Sequence, residues 1–442
     1  MRRRDVLWSA GALGVLGLAG CQTSSTSGQS PSSNADADLD AAFFYSFPLY
    51  EIARTGQNRA AAPGLNKLGH RAVLADDTMR QITAPNNDTV YSSAQLELSG
   101  GPIEVNCPTD TSRYFNVTFM DAFSDNFAGM GTRLTKGQGG KYWVVGPAWK
   151  GSAPAGVTVL RSSTNDVWML ARIVVEGPDD LVAAKALQQK ISIRQVEATP
   201  PKPFGVAATS STDPVNYLAV VNDMIARSPG SMGHLARAPK FAKVGVGITP
   251  SAELIERWRA YLPKGIAKLK ERFLFRDLVV NGWGYQPHGV GEKDADDLLR
   301  SAIALGGLAA LPEAEAMYFQ ATVDGAGAPL TGANKYVWRV PPGGVPAEAF
   351  WSLTMYQVED DGRFFLTKNP INRFSIGDRT KGLVKNADGS IDILIQRDQP
   401  TGDKAANWLP APAGAIRLSL RAYLPKKELR DRAWKVPPVT KA

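Results

Sequence analysis

The chain has 442 residues, with 44% hydrophobic and 21% charged side chains and a formal charge of +8. That apolar content supports real cores and excludes global disorder. Two cysteines and three histidines exclude a disulfide scaffold and argue against a zinc or haem protein; no metal and no cofactor are expected. The 42 glycines and 30 prolines favour many short strands over a helical bundle.

Residues 1–21 read as an export signal. Arg2, Arg3 and Arg4 precede an apolar run from Trp8 to Gly20 that is too short to span a bilayer. Arg3-Arg4-Asp5-Val6-Leu7 is similar to a twin-arginine pattern, although the preceding Ser or Thr is missing. Leu18-Ala19-Gly20-Cys21 is similar to a bacterial lipobox, so Cys21 is the expected lipidation site. Gln22 after it favours the outer membrane over retention at the inner one, by analogy with Gram-negative sorting. Residues 22–40 are nearly devoid of apolar side chains and read as a flexible tether. A lipidated Cys21 leaves Cys107 without a disulfide partner, and Cys107 reads as a buried, inert thiol.

The mature chain divides into a β-rich domain over 41–195, a helical connector over 196–325 and a second β-rich domain over 326–437. Leu39–Ala62 has a helical pattern that Pro48 should kink or split. Strands are predicted at Thr89–Leu98, Tyr114–Met120, Tyr142–Val145, Val157–Leu160 and Asp166–Val175, with a proline-led helix from Pro178 to Lys190. Asp213–Arg227, Ser251–Phe275 and Asp294–Gln320 have helical periodicity, with Pro263 and Pro312 as expected breaks. Lys335–Val340, Ala349–Tyr356, Ile391–Gln396 and Ala415–Ala422 read as strands. Asn386-Ala387-Asp388-Gly389-Ser390 reads as a turn joining two of them. The fold class is therefore α+β, mainly β: two β-sandwich or jelly-roll-like lobes joined by helices.

Three ordered stretches, Asn86-Asn87-Asp88-Thr89-Val90-Tyr91-Ser92, Arg113-Tyr114-Phe115-Asn116-Val117 with Asp121 and Asn126, and Ser162 to Trp168, resemble domain-of-unknown-function family 1254. Trp351 to Tyr356, Asn369 to Ile376 and Asn407 to Pro412 resemble family 1214, which commonly follows it. The resemblance implies two β lobes with helices between them, often exported. It brings no secure reaction and no catalytic residues.

Read from the residues alone, Asp88, Asp121 and Asp166 are acid/base candidates, since paired carboxylates at a sandwich mouth can split their pKa values. Tyr91, Asn126, Arg133 and Arg172 are substrate-binding candidates, the arginines for an anionic group. In the second lobe Trp351 and Arg373 complete the set, as an aromatic beside a polar group suits a sugar ring. The rival reading of each is structural: aspartates fixing turns, tryptophans packing cores. Two functions stay open, a hydrolase-like enzyme acting on a small polar molecule or glycan, and a non-catalytic envelope protein that binds a ligand or a partner. The expected partners are a membrane, through the lipid, and a small-molecule or glycan ligand. A homo-oligomer stays open, and no nucleic-acid module is visible.

Overall fold

A computed structural model describes residues 31–80, 83–229, 232–273, 277–293 and 295–442. The export signal and Cys21 lie outside the described residues.

The first element is α1 (Pro31–Arg59). From Leu39 to Ala53 it is buried on almost every side, among α3 (Pro214–Ala226), α4 (Ala252–Phe273), α5 (Asp297–Gly306) and the 3-10 segment Gly233–Val244. The short α2 (Leu181–Gln188) belongs to the first β lobe instead. A helix apolar all round belongs inside a protein, and here it is the axis of a helical layer. Pro48 does not split it. Proline removes the hydrogen bond that Phe44 O, four residues earlier, would accept, and the Ser301 hydroxyl from α5 donates to that carbonyl instead. Tertiary contact supplies what local geometry lost. Pro263 likewise lies inside an unbroken α4. There Gly265 admits the Phe43 ring, which would lie only 2.8 Å from an added Cβ.

Two sheets form the first lobe. One has the order β1 (Gly69–Arg71), β2 (Thr89–Glu97), β8 (Asp166–Val174), β4 (Phe115–Met120), β5 (Asn126–Gly131); the other runs β7 (Val157–Arg161), β6 (Gly140–Val145), β3 (Ile103–Cys107), β9 (Ser192–Gln195). Their facing sides, with Val90, Phe115, Phe119 and Ile173 against Ile103, Val105 and Val144, make one core. Burial raises the Cys107 thiol to about 12 in that core, which keeps it protonated.

The second lobe repeats the plan. Its larger sheet runs β10 (Val279–Val280), β11 (Trp283–Tyr285), β12 (Ala316–Ala321), β19 (Ile416–Pro425), β14 (Ala347–Val358), β15 (Phe364–Phe365), with β16 (Ser375–Gly377) beside β14. Its smaller sheet runs β18 (Trp408–Pro410), β17 (Ile391–Gln396), β13 (Tyr336–Val340), β20 (Val439–Lys441). Phe319, Leu353, Leu418 and Leu420 pack on Trp338, Ile393, Ile395 and Leu409 between them. The fold is thus α+β, mainly β, with four open sheets among the described residues.

The predicted helix over Asp294–Gln320 needs correction. Only Asp297–Gly306 is helical, and Ala316–Ala321 is an interior strand of the second lobe. Met317, Phe319 and Ala321 face the core while Tyr318 and Gln320 face away, so the true period there is two. The turn at Asn386–Ser390 forms, with Gly389 N bonded to Asn386 O, but it leads into β17 from a loop, not from a strand.

Candidate functional site

Each large sheet buries one face in its own core and turns the other toward the opposite lobe. In β2, β8 and β4 the outward residues include Tyr91, Arg172, Asn116 and Thr118, because Val90, Ala171, Ile173, Phe115 and Val117 point into the core. In β12, β19 and β14 the outward set includes Tyr318, Arg421, Tyr423, Ser352, Thr354 and Tyr356, since Phe319, Leu420, Ala422 and Leu353 point inward. Two polar faces therefore meet at a seam between the lobes.

Polar bonds staple this seam. Asp88 stands just before β2, where Asn86 Oδ1 accepts from its backbone N–H at 2.7 Å. That turn aims its carboxylate across the seam, where Arg379 Nη2 donates at 2.8 Å and Ser352 Oγ at 2.5 Å. Arg379 also donates to Val175 O of the first lobe. Asn86 Nδ2 donates to the Tyr423 hydroxyl, and the Tyr356 hydroxyl donates to Pro85 O. Further along, Glu315 accepts from the Tyr114 hydroxyl at 2.8 Å and from Arg133 Nε at 2.6 Å. Asp378, beside Arg379, accepts from Trp351 N, and burial raises its carboxyl to about 6.

Above these staples the seam opens into a cleft of about 670 Å³. Arg113, Arg133 and Glu176 reach it from the first lobe, and Glu348, Arg379 and Arg430 from the second. Tyr114 and Phe350 form its aromatic wall, with Tyr423 stacked behind Phe350 at a centroid separation of 4.2 Å. The cleft can therefore present positive charge and ring faces to one guest.

The structure separates Asp88 from Asp121 and Asp166. Asp88 lies at the seam, whereas Asp166 sits at the far end of the same strand pair, since Thr89 faces Val174 and Glu97 faces Asp166. At about 3.3 Å per residue the two are roughly 30 Å apart. Asp166 is fully buried and bound by Arg227 through Nε at 2.7 Å and Nη2 at 2.9 Å. Asp121 is at that far end too. Its carboxylate accepts from the backbone N–H groups of Phe123 and Asp125 and from Ser163 Oγ. Burial and the neighbouring Asp125 charge raise it to about 6. His234 and Arg300 contact that same Asp125, at 2.8 and 2.9 Å.

Of the binding candidates, Tyr91, Arg133 and Arg172 converge on the seam. Asn126 does not: its Nδ2 donates to Gly291 O and Ala310 O and ties β5 to the loop around α5. Trp351 is buried in the second core, edge-on to Trp338 at 5.7 Å. Arg373 donates to Ala406 O and Trp408 O and clamps a loop. Among the described residues no group of His, Cys, Asp and Glu is placed to hold a metal.

Sequence reading missed Arg379, Arg421, Tyr318, Tyr423 and Glu315. A signal existed for three of them. Arg417, Ser419, Arg421 and Tyr423 alternate with leucine and alanine along β19, an interior strand, and Tyr318 does the same along β12. A polar face on an interior strand implies a second layer that is itself polar.

Residues 65–195 match the family described as protein of unknown function (DUF1254), and residues 315–427 match protein of unknown function (DUF1214). No curated protein matches the chain. The crystal structure of the VPA0106 protein from Vibrio parahaemolyticus is similar over 92% of this chain and 100% of that one, at 23% identity and a TM-score of 0.72, which shows a shared fold. An uncharacterised protein from Burkholderia cenocepacia is 15% identical over 92% and 94% of the two chains, with a TM-score of 0.45. With its two β lobes in that order, the chain belongs to the two-domain family in which a DUF1254 domain is followed by a DUF1214 domain.

Proposed function

We propose that this protein binds a small polar ligand in the cleft between its lobes, as a non-catalytic receptor of the cell envelope. One observation carries the reading: about 670 Å³ of open seam into which both lobes send guanidinium groups beside an aromatic wall. Arg133 is held by Glu315 through its Nε alone, so its Nη groups are already oriented for a guest, while Asp180 chelates the Arg113 fork and fixes it in the cleft wall. Arg430 is exposed at the rim. The three aspartates drawn from the sequence have their oxygens occupied, and Asp88 lies far from the other two, which favours binding over hydrolysis by them. A hydrolytic function would draw instead on Glu176 and Glu348, which line the cleft from opposite lobes. The envelope setting rests on the sequence alone, on the basic n-region, the apolar run and the lipobox ending at Cys21.

A thermal-shift screen of the full mature chain against sugars, sugar acids and small organic acids tests the binding reading, because a ligand of the native state raises Tm by mass action. A saturable shift that Arg133→Ala weakens supports it; a screen without any shift defeats it. For the anchor, Cys21→Ser should move the protein from the membrane fraction to the soluble one and abolish labelling by radioactive palmitate.

A further inference from the structure

The two seam faces carry matching rows. Tyr91, Arg172 and Asn116 are register neighbours across β2, β8 and β4, and Tyr318, Arg421 and Ser352 are register neighbours across β12, β19 and β14. The rows differ electrically. Arg421 donates to Thr354 Oγ1 and to the Tyr356 hydroxyl at 2.8 and 2.7 Å, and the Asp88 charge acts on it. Arg172 has no carboxylate partner among the described residues. Its guanidinium donates to Ala309 O at 2.7 Å and Thr118 Oγ1 at 3.4 Å and lies 5.9 Å from the Tyr91 ring centroid, although the residue is 6% exposed. A charge held out of water without a counterion is costly, and such groups normally pair or neutralise.

The groups around Arg172 bring more unspent donors than acceptors. Tyr91, Tyr318 and Tyr423 are its electrostatic neighbours. The Tyr423 hydroxyl accepts from Asn86 and the Tyr318 hydroxyl from Leu311 N, which leaves both protons unspent. Burial raises both hydroxyls above the ordinary phenol value, so they stay protonated at neutral pH. Asn116 is 3% exposed, and neither its Oδ1 nor its Nδ2 has a partner. Tyr91 and Tyr318 are only partly covered, so the place is not sealed. A neutral polyol would bring as many donors as acceptors. An oxyanion brings acceptors alone, together with the missing charge.

We infer that the seam holds an oxyanion, the carboxylate or phosphate group of a small ligand, against Arg172 with Asn116 and the hydroxyls of Tyr91, Tyr318 and Tyr423. The inference rests on the cleft-binding reading and names the ligand class. It places the acidic group deeper in the seam than the cleft, behind the Tyr114–Phe350–Tyr423 wall.

The test is a titration of the full mature chain with acetate, benzoate and inorganic phosphate, with benzamide and glycerol as neutral controls, read by thermal shift and calorimetry. Saturable binding of at least one anion, and none by the controls, is expected; preference for the first two or for phosphate tells a carboxylate from a phosphate. Asn116→Asp places a carboxylate beside Arg172, since cross-strand partners have Cβ atoms about 5 Å apart. It should raise the Tm of the unliganded protein and weaken anion binding by roughly tenfold or more. Arg172→Met should abolish binding while the protein stays folded by circular dichroism. Tyr91→Phe, which keeps the ring, should weaken binding if either charge-altering variant fails to fold. Absence of anion binding to the wild type, or binding undiminished in Asn116→Asp or Tyr91→Phe, overturns the inference. Neutral sugars that bind in an Arg133-dependent way while anions do not would overturn this inference alone and leave the cleft reading standing.

Discussion

Two buried arginines, Arg172 within β8 and Arg227 just after α3, illustrate opposite solutions to the same problem. Arg227 is buried at the junction of the first lobe with the helical layer, where it meets Asp166 through two hydrogen bonds and gives two more protons to Pro203 O and Lys202 O. Each guanidinium nitrogen there has an acceptor, and a carboxylate matches its charge. Arg172, buried at the seam, meets one carbonyl and one hydroxyl, and unspent donors surround it. Burial alone does not mark a functional charge. The mismatch between charge and counterion does, because a folded protein tolerates such a mismatch at a place that something else completes.

That contrast can be broken by experiment. Arg227→Met leaves Asp166 buried without its cation and should cost about 3–5 kcal/mol in urea unfolding; a loss below about 1 kcal/mol would mean the pair is not the clamp described. Asp88→Ala removes the carboxylate that joins Arg379 and Ser352 across the lobes. Because the Arg379 side chain is 19% exposed and can rehydrate in part, a loss of about 2–3 kcal/mol is expected, measurable by the same unfolding curves.

Asp121 supplies a pH test. Its carboxyl sits at about 6 in the folded protein against an unfolded value of roughly 3.9. Between those values the folded state binds more protons than the unfolded one, so this group lowers stability as pH rises from about 4 to 6 and the full penalty persists above. Asp121→Asn should flatten that part of the Tm-against-pH curve; an unchanged slope would assign the titration elsewhere. The smallest stability effect belongs to Arg172→Met. Exchange of an unmatched charge for apolar packing offsets the lost bond to Ala309 O, and the net change should stay within about 1 kcal/mol, in contrast to Arg227→Met. A loss as large as that of Arg227→Met would make Arg172 structural.

Much of the fold was legible along the chain. Strands β2, β4, β8, β14, β17 and β19 lie where β-branched and aromatic runs end at Gly, Pro or Asn, because a long strand buried on one face writes its period into the sequence. The short edge strands β9, β15, β16, β18 and β20 have two to four residues and carry too few side chains to show a period. Strand β12 falls inside the predicted helix because its six residues are too few to show their period of two, although Gly306-Gly307 and Pro312 mark the break before it.

The seam was half legible. Tyr91, Arg133 and Arg172 stand out as polar residues in an apolar lobe, and the Asn86–Asp88 turn marks a place where a carboxylate is re-aimed. What no reading along the chain could supply is the partner of each. Arg379 meets Asp88 from 291 positions away, and Glu315 meets Arg133 across 182. The sequence by itself determined that there are two sandwiches and a helical layer, since hydrophobic period is a local property. Only the tertiary structure decided which polar faces meet, that Asp88 stands far from Asp121 and Asp166, and that Arg172 is buried without a counterion among the described residues. Those facts depend on how one sheet's outward face is laid against another's, and that is fixed by packing between distant segments.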